Sequence, residues 1–328
     1  MGSTTGSTGS RLSVVLLLAG MVSGLPLTWI HAETETGARQ VLIIHSLGRD
    51  YPPFEGVAST FDNHLVQVFD EPVEMLNASL ELSRFDGPGL EDPLLQYLRA
   101  VYPNRHPDLV VPIGAQAGLF YARHRDELFP ESPVLLLAPD RRRVQEIMEP
   151  GVAVVGMDLD TSILIENVLG LLPETQDIYL VTGVSPMSGF WRQAFWQEWA
   201  AYDQLTIHDL SAQSVAETAE QVANLPPQSA VIIAVMTRDA AGVPHESGTA
   251  LKAIRARSNA PVFGYLPAQM GNGIVGGSLL PTPEVGRLGA ETAARILAGE
   301  SPDNIAPIFL PFGQPMYDWR EIKAWDIP

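Results

Sequence analysis

The chain has 328 residues, 46% of them hydrophobic and 18% charged, with 28 glycines, 27 prolines and no cysteine. That composition is globular and excludes a disulfide scaffold, a cysteine-ligated metal centre and a disordered polyampholyte. The formal charge of -18 repels a phosphate backbone, so no nucleic-acid partner is expected, and the length accommodates two domains with separate cores.

Residues Met1 to Ser10 are rich in Gly, Ser and Thr, and Arg11 then precedes an apolar run from Leu12 to Ile30. A basic residue, an apolar stretch and the small Ala32 before Glu33 form the pattern of an export signal cleaved after residue 32. The run is also close to the about 20 residues that span a bilayer, which keeps an uncleaved anchor as the alternative. Pro26 and two glycines interrupt that version. With no cysteine after the run, a lipoprotein tether is excluded. The expected location is extracytoplasmic, in the periplasm.

Val41 to His45 is a continuous apolar, β-branched run, the pattern of a buried parallel strand, and Ser46 to Pro53 reads as a loop. From Phe54, apolar residues recur at Val57, Phe61, Leu65 and Val68, the spacing of an amphipathic helix. The alternation continues with a strand over Val73 to Leu76, a helix over Leu90 to Val101, a strand over Asp108 to Ile113, a helix over Ala115 to His124 and a strand over Val134 to Ala138. Gly151 to Asp158 reads as a segment crossing to a second series. That series has helices over Ser162 to Leu172, Phe190 to Tyr202, Val215 to Leu225 and Gly248 to Arg257. Its strands are Ile178 to Thr182, Leu205 to Leu210, Ala230 to Met236 and Pro261 to Phe263. Ile274 to Ser278 then leads through Pro281 and Pro283 into a last helix, Glu284 to Leu297, closed by Gly299. The expected fold class is α/β, with two Rossmann-like lobes built on parallel sheets and joined by a multi-strand hinge. Lobe one takes residues 33–155 and 283–312, and lobe two 156–282 and 313–328. Neither a dinucleotide-binding nor a P-loop glycine fingerprint follows any strand, so no cofactor is expected.

Several segments carry a more specific likeness: Val41 to Pro53, Pro107 to Ala117 with the following stretch from His124, and Gly271 to Leu279. The Pro283 to Glu300 run, with Gly289, Ala293, Leu297 and Gly299, and the closing Met316 to Ile327 complete it. In order and spacing the chain resembles a type I periplasmic binding protein of the ABC-substrate-binding-protein-like kind, most closely the extracytoplasmic sensor regions of bacterial membrane histidine kinases. The resemblance implies a non-enzymatic domain that closes on a small polar solute and signals to a membrane partner, the histidine kinase portion. The alternative is the solute receptor of an ABC importer, with a permease as partner. The sequence departs from the kinases in carrying no phosphoacceptor-histidine helix and no ATP-binding glycine boxes.

In open α/β sheets ligands sit beyond the carboxyl ends of the strands, so candidate contacts are the residues that follow each strand. In the first lobe these are His45, Ser46, Tyr51, Gly114, Ala115, Gln116, Pro139 and Asp140. In the second they are Asp158 and Asp160, Ser185, Ser188, Phe190, Trp191, Thr237, Arg238, Asp239, Tyr265 and Asn272. From these the expected binding set is Ser46, Tyr51, Gln116, Asp158, Ser185, Phe190, Trp191, Thr237, Arg238, Tyr265 and Asn272.

Each has a competing reading. The serines suit helix caps as well as ligand contact. Gln116 opens a helix whose backbone N–H groups could take an anion. Phe190, Trp191, Phe195, Trp196 and Trp199 share a helix, and only the first two, expected in its first turn, are assigned to the site. Arg238 suits a ligand carboxylate or an ion pair with Asp158 or Asp160. Asp158 and Asp160 admit a hydrolase with paired carboxylates, a remote alternative. The seven histidines lack metal-ligand spacing, so no metal site is expected. Arg141-Arg142-Arg143 reads as a solvated helix start or a docking patch.

Overall fold

The computed structural model describes residues 37–81, 89, 91–102, 106–245 and 248–328. The export signal or anchor expected over residues 1–32 lies outside them. In chain order, β1 (Arg39–His45) is followed by α1 (Glu55–Val68), β2 (Val73–Ser79), α2 (Glu91–Val101), β3 (Leu109–Ile113), α3 (Ala115–Leu128), β4 (Val134–Asp140), the single turn α4 (Arg141–Val144) and β5 (Val152–Met157). Next come α5 (Ser162–Leu171), β6 (Asp177–Val181), α6 (Pro186–Trp199), β7 (Thr206–Asp209), α7 (Val215–Val222), β8 (Ser229–Ile233), α8 (Thr249–Arg257) and β9 (Val262–Gly264). The chain closes with β10 (Gly276–Ser278), α9 (Thr282–Leu297), β11 (Ile308–Leu310), β12 (Pro315–Tyr317) and α10 (Trp319–Ala324). Among the described residues no helix is long and apolar enough to cross a membrane.

These strands form two parallel sheets. The six-stranded sheet has the order β11-β5-β4-β3-β1-β2 and the four-stranded sheet β7-β6-β8-β9, while β10 and β12 pair antiparallel. In both large sheets the first strand lies between the second and the third, so each has a switch point where successive crossovers leave in opposite directions. β3, β4, β5 and β8 are buried along their whole length, the consequence of helices on both faces. One apolar core is continuous through both lobes, from Phe61 and Leu137 to Phe195, Trp199 and Tyr265. Two further cores line the other face of each sheet.

The segment expected to cross between lobes at Gly151 to Asp158 is instead β5, a strand of the six-stranded sheet, and the crossing begins only after Met157. Its apolar run, Val152 to Val155, is what sheet burial demands. α6 starts four residues earlier than expected, because the Ser185 hydroxyl accepts the Ser188 N–H at 3.2 Å and Pro186 occupies the first turn. β11 and β12 are only three residues long, too short to show a period, and are strands through pairing with distant segments, β11 on β5 and β12 on β10, while α10 is a short helix capped by Asp318.

Three crossing strands of chain join the lobes and bond to one another. The Asp158 N–H donates to the Leu310 carbonyl at 2.9 Å, and the Gly313 N–H to the Leu279 carbonyl at 2.8 Å. Beside them the Trp199 indole N–H donates to the Thr161 carbonyl at 2.9 Å.

After the second crossing α9 packs on α1 of the six-stranded lobe, and the approach is close enough to need glycine. A Cβ on Gly286 would lie 2.6 Å from the Val57 carbonyl oxygen and 2.8 Å from the Thr60 Cβ. Gly170, in the exposed side of α5, has nothing within 4 Å of a Cβ. Gly286→Leu is therefore expected to destabilise the fold by about 1 to 3 kcal/mol through overpacking. Gly170→Ala should instead stabilise it by about 0.5 to 1 kcal/mol through the helix preference for alanine. Chemical denaturation of the two variants checks both signs.

Candidate ligand-binding site

The carboxyl ends of the two parallel sheets face each other across a cleft, and the cleft holds a solvent-open cavity. Both switch points supply wall. From the first lobe, Ser46 follows β1, Ala115 and Gln116 open α3 after β3, and Ala138 and Asp140 end β4. From the second, Met187, Phe190 and Trp191 come from α6 after β6, and Val235 follows β8. Pro53, Phe54, Arg143, Met157, Tyr265 and Leu280 complete the lining.

The turn from β3 into α3 brings backbone to the cavity. Gly114 has a φ of 83°, in the left-handed region, and a Cβ there would lie 2.6 Å from the Phe54 ring and 2.8 Å from the Ser46 hydroxyl. Ser46 is buried and fully used: its hydroxyl donates to the Ile113 carbonyl at 2.7 Å and accepts the Ala117 N–H at 2.9 Å. It thus caps α3, the helix after the neighbouring strand, while its flank faces the cavity. Among the described residues the Gln116 side-chain amide has no partner, and the Ala115 and Gln116 backbone N–H groups bond to nothing. Tyr265 is 3% exposed, and its hydroxyl completes no hydrogen bond although the Val235 backbone lies beside it. Burial pushes that phenol well above its ordinary range.

β4 ends irregularly. Its register on β5 shifts between Leu137 and Asp140, and Ala138 has a φ of 56°, a conformation that non-glycine residues adopt at some cost. The irregularity turns Asp140 and the arginines after it toward the cleft. Asp140 is buried and accepts three bonds from one residue: the Arg142 N–H at 3.0 Å, Nε at 2.7 Å and Nη2 at 3.0 Å. These bonds, those to Asp140 first, raise the Arg142 guanidinium above its ordinary range. Arg142 also reaches the other lobe, where its Nη1 meets Glu198 of α6 at 2.6 Å and its Nη2 meets the Leu159 carbonyl at 3.1 Å. Glu198 in turn accepts the Thr161 N–H at 2.6 Å and the Thr161 hydroxyl. Arg142 lies 5.4 Å from the Trp191 ring centroid and Arg143 5.2 Å from that of Phe190, both cation–π contacts across the cleft.

Of the residues expected from the sequence, Ser46, Gln116, Phe190, Trp191 and Tyr265 meet at this cavity. Phe190 and Trp191 do so from the second turn of α6 rather than its first, and Phe195 and Trp199 behind them belong to the core. The remaining six lie elsewhere. Tyr51 lines a neighbouring cavity and its hydroxyl donates to the His245 carbonyl. Asp158 is half-exposed and pairs with Arg141 at 2.8 Å. Ser185 caps α6. Thr237 is buried behind the loop that Asp239 organises by accepting the Val215, Ala241 and Val243 N–H groups and the His245 ring. Arg238 sits in an isolated bridge with Pro244 and gives its carbonyl to the Val184 N–H at 3.1 Å. Asn272 donates to the Ala268 carbonyl at 2.9 Å. Of the further candidates, His45 bonds Asn77 at 2.8 Å and is held below its ordinary range by burial, and Asp160 caps α5 through the Ser162 N–H at 2.9 Å.

The arginine run opens α4 with Arg141 and Arg142 exposed, the expected solvated helix start; beyond that expectation, Arg142 ties to Glu198 of the other lobe and Arg143 is in the cavity wall. Arg142 and Glu198 are 56 residues apart, and no local pattern marks such a pair. Met157, Met187, Phe54 and Leu280 were likewise not expected in the site; the only available signal was their place after or at the end of a strand or crossing.

No protein-family model matches the chain, and no curated protein matches it. Solved structures do. The ABC domain from Streptococcus pneumonia in complex with L-Trp superposes with a TM-score of 0.65 at 14% identity, covering 89% of this chain and 95% of that one. An ABC transporter solute binding protein from Bacillus halodurans with bound myo-inositol gives 0.57 at 12% identity, covering 89% and 99%. A 5-methylthioribose transporter solute binding protein from Thermotoga lettingae gives 0.54 at 13% identity, covering 87% of each chain. The chain thus has the type I periplasmic binding protein fold, that of ABC transporter substrate-binding proteins.

Proposed function

We propose that this protein is an extracytoplasmic solute-binding protein whose two lobes close on a small ligand, in the manner of the receptor of an ABC importer. The observation that carries the reading is the cavity itself: it lies where the switch points of both sheets face each other, and both lobes supply its wall. Solved structures of this fold with solute or tryptophan bound weigh toward the importer, ahead of the histidine-kinase sensor, whose support is the likeness of the Met316 to Ile327 segment. Purification with a membrane permease supports the first, and with a kinase the second.

Binding without catalysis fits the placement of the acids. The two carboxylates that could have formed a hydrolytic pair are engaged elsewhere, Asp158 with Arg141 and Asp160 at the start of α5, and neither lines the cavity. Hydrolysis of ester, phosphate or glycoside panels by the purified protein, lost in Asp158→Asn, would overturn this part of the reading.

Native mass spectrometry of the purified protein is expected to reveal a bound small molecule, and small-angle scattering a contraction when that molecule is restored after removal. Absence of both results rejects the proposal. Two variants set the scale. Trp191→Ala removes an aromatic wall and should weaken binding by between about twofold and about tenfold, the equivalent of the about 0.5 to 1.5 kcal/mol of an aromatic contact. Glu198→Ala breaks the tie between lobes. The pair is partly exposed, at 36% and 27%. An effect of at most about 1 kcal/mol, or about fivefold in affinity, is therefore expected, through a smaller closed population. Calorimetric titration reads both.

A further inference from the structure

The chemistry of the cavity narrows the ligand class, an inference that rests on the solute-binding reading above. We propose that the site takes an apolar-bodied monocarboxylate that bears no ammonium group: an aryl or branched-chain carboxylate, as distinct from an amino acid or a polyol.

Three features carry this. First, the walls include Phe54, Phe190, Trp191, Met157 and Met187, flat or pliable apolar surfaces whose side chains offer a ring of hydroxyls a single donor, the Trp191 indole N–H. A polyol buried there would leave most of its hydroxyls unpaired, at a cost for each.

Second, the unused polar groups of the lining are nearly all donors. The Ala115 and Gln116 backbone N–H groups open α3, a helix of 14 residues, and the Gln116 amide projects from the same turn. Across the cavity stands the Tyr265 hydroxyl, 3% exposed and without a hydrogen bond. A ligand oxygen can satisfy this buried, unpaired hydroxyl, and a carboxylate offers enough lone pairs for this donor and the helix amides together. Arg143 is also in the wall, with its Nε and Nη2 held by Glu146 at 2.8 and 3.3 Å.

Third, no carboxylate is free to receive an ammonium group. Asp140 is the one acid in the lining, and both its oxygens already accept from Arg142. An ammonium placed in this cavity would lose water with no uncommitted carboxylate in the lining to receive it.

The test is a calorimetric titration of the full protein, freed of bound solute, with matched pairs. Phenylacetate is set against L-phenylglycine, which differs by the ammonium group, and against phenylacetamide, which lacks the charge. Isovalerate is set against L-valine, and myo-inositol stands for polyols. At least one carboxylate is expected to bind at least tenfold tighter than its amino-acid and amide counterparts and than myo-inositol. Tyr265→Phe removes only a buried hydroxyl, so the fold is retained, and should weaken the bound carboxylate about tenfold. Gln116→Glu sets a like charge beside the ligand's own and should weaken it at least tenfold, while Gln116→Asn retains part of the affinity.

Tighter binding of an amino acid or of myo-inositol overturns the ligand class and leaves the solute-binding reading standing. Unchanged carboxylate affinity in both Tyr265→Phe and Gln116→Glu overturns the assignment of these residues and the class with it. Failure of both carboxylates to bind also overturns the class. If, in addition, native mass spectrometry finds no bound solute of any kind, the solute-binding reading falls separately.

Discussion

Parallel pairing throughout both large sheets is the constraint on which the cleft depends. When every strand of a sheet runs the same way, each return must be made by a helix, and all the polar loops at the carboxyl ends collect along one edge. The three crossing strands of chain turn those two edges toward each other, and mutual hydrogen bonds, Asp158 to Leu310 and Gly313 to Leu279, tie the crossings together. α9 and β11 then have to return to the first lobe, and Gly286 permits the close seat of α9 on α1 that completes it.

The local electrostatics of the cleft run against those of the whole molecule. The chain carries a formal charge of -18, yet the rim between the lobes is lined by three consecutive arginines. Each has found a separate acidic partner: Asp158 for Arg141, Asp140 with Glu198 for Arg142, and Glu146 for Arg143. The middle pair spans the cleft, and the aromatic faces of Phe190 and Trp191 receive what remains of the charge. Because Arg142 is oriented by a buried carboxylate of its own lobe before it meets Glu198, less side-chain freedom is lost when the lobes meet. Repulsion of anions by the molecule as a whole falls off within about a Debye length of 8 Å at physiological salt, whereas groups inside the cavity act at contact.

The irregular end of β4 connects fold to site. A regular strand would have alternated Ala138, Pro139 and Asp140 between faces, and the bulge at Ala138 changes that alternation just where the chain reaches the cleft. The same short stretch therefore sets the cavity wall, the buried Asp140 and the arginine that reaches the other lobe.

Much of the architecture was legible in the residues themselves. Val41 to His45, Val134 to Ala138 and Ala230 to Ile233 are continuous apolar runs because each is covered on both faces, and helices such as α1 show a three-to-four spacing because one face alone is buried. The rule that ligands gather after parallel strands led to Ser46, Gln116, Phe190, Trp191 and Tyr265, whose place depends on local chain order. The same rule also named Thr237, Arg238 and Asn272, since it cannot tell which residues of the chain after a strand face the cleft: Val235 and Tyr265 line the cavity, and the residues farther along do not. β5 was misread as a crossing because a buried strand and a buried connector share one composition, and only the pairing with β4 separates them. Composition and periodicity thus determined an acidic α/β chain with two parallel sheets, for burial acts on each residue through its neighbours in sequence. Which lobe edges meet, which acid each arginine takes and which donors are left free for a ligand were decided by tertiary structure alone, because those partners, such as Arg142 and Glu198 or Gln116 and Tyr265, are brought together only when the lobes face each other.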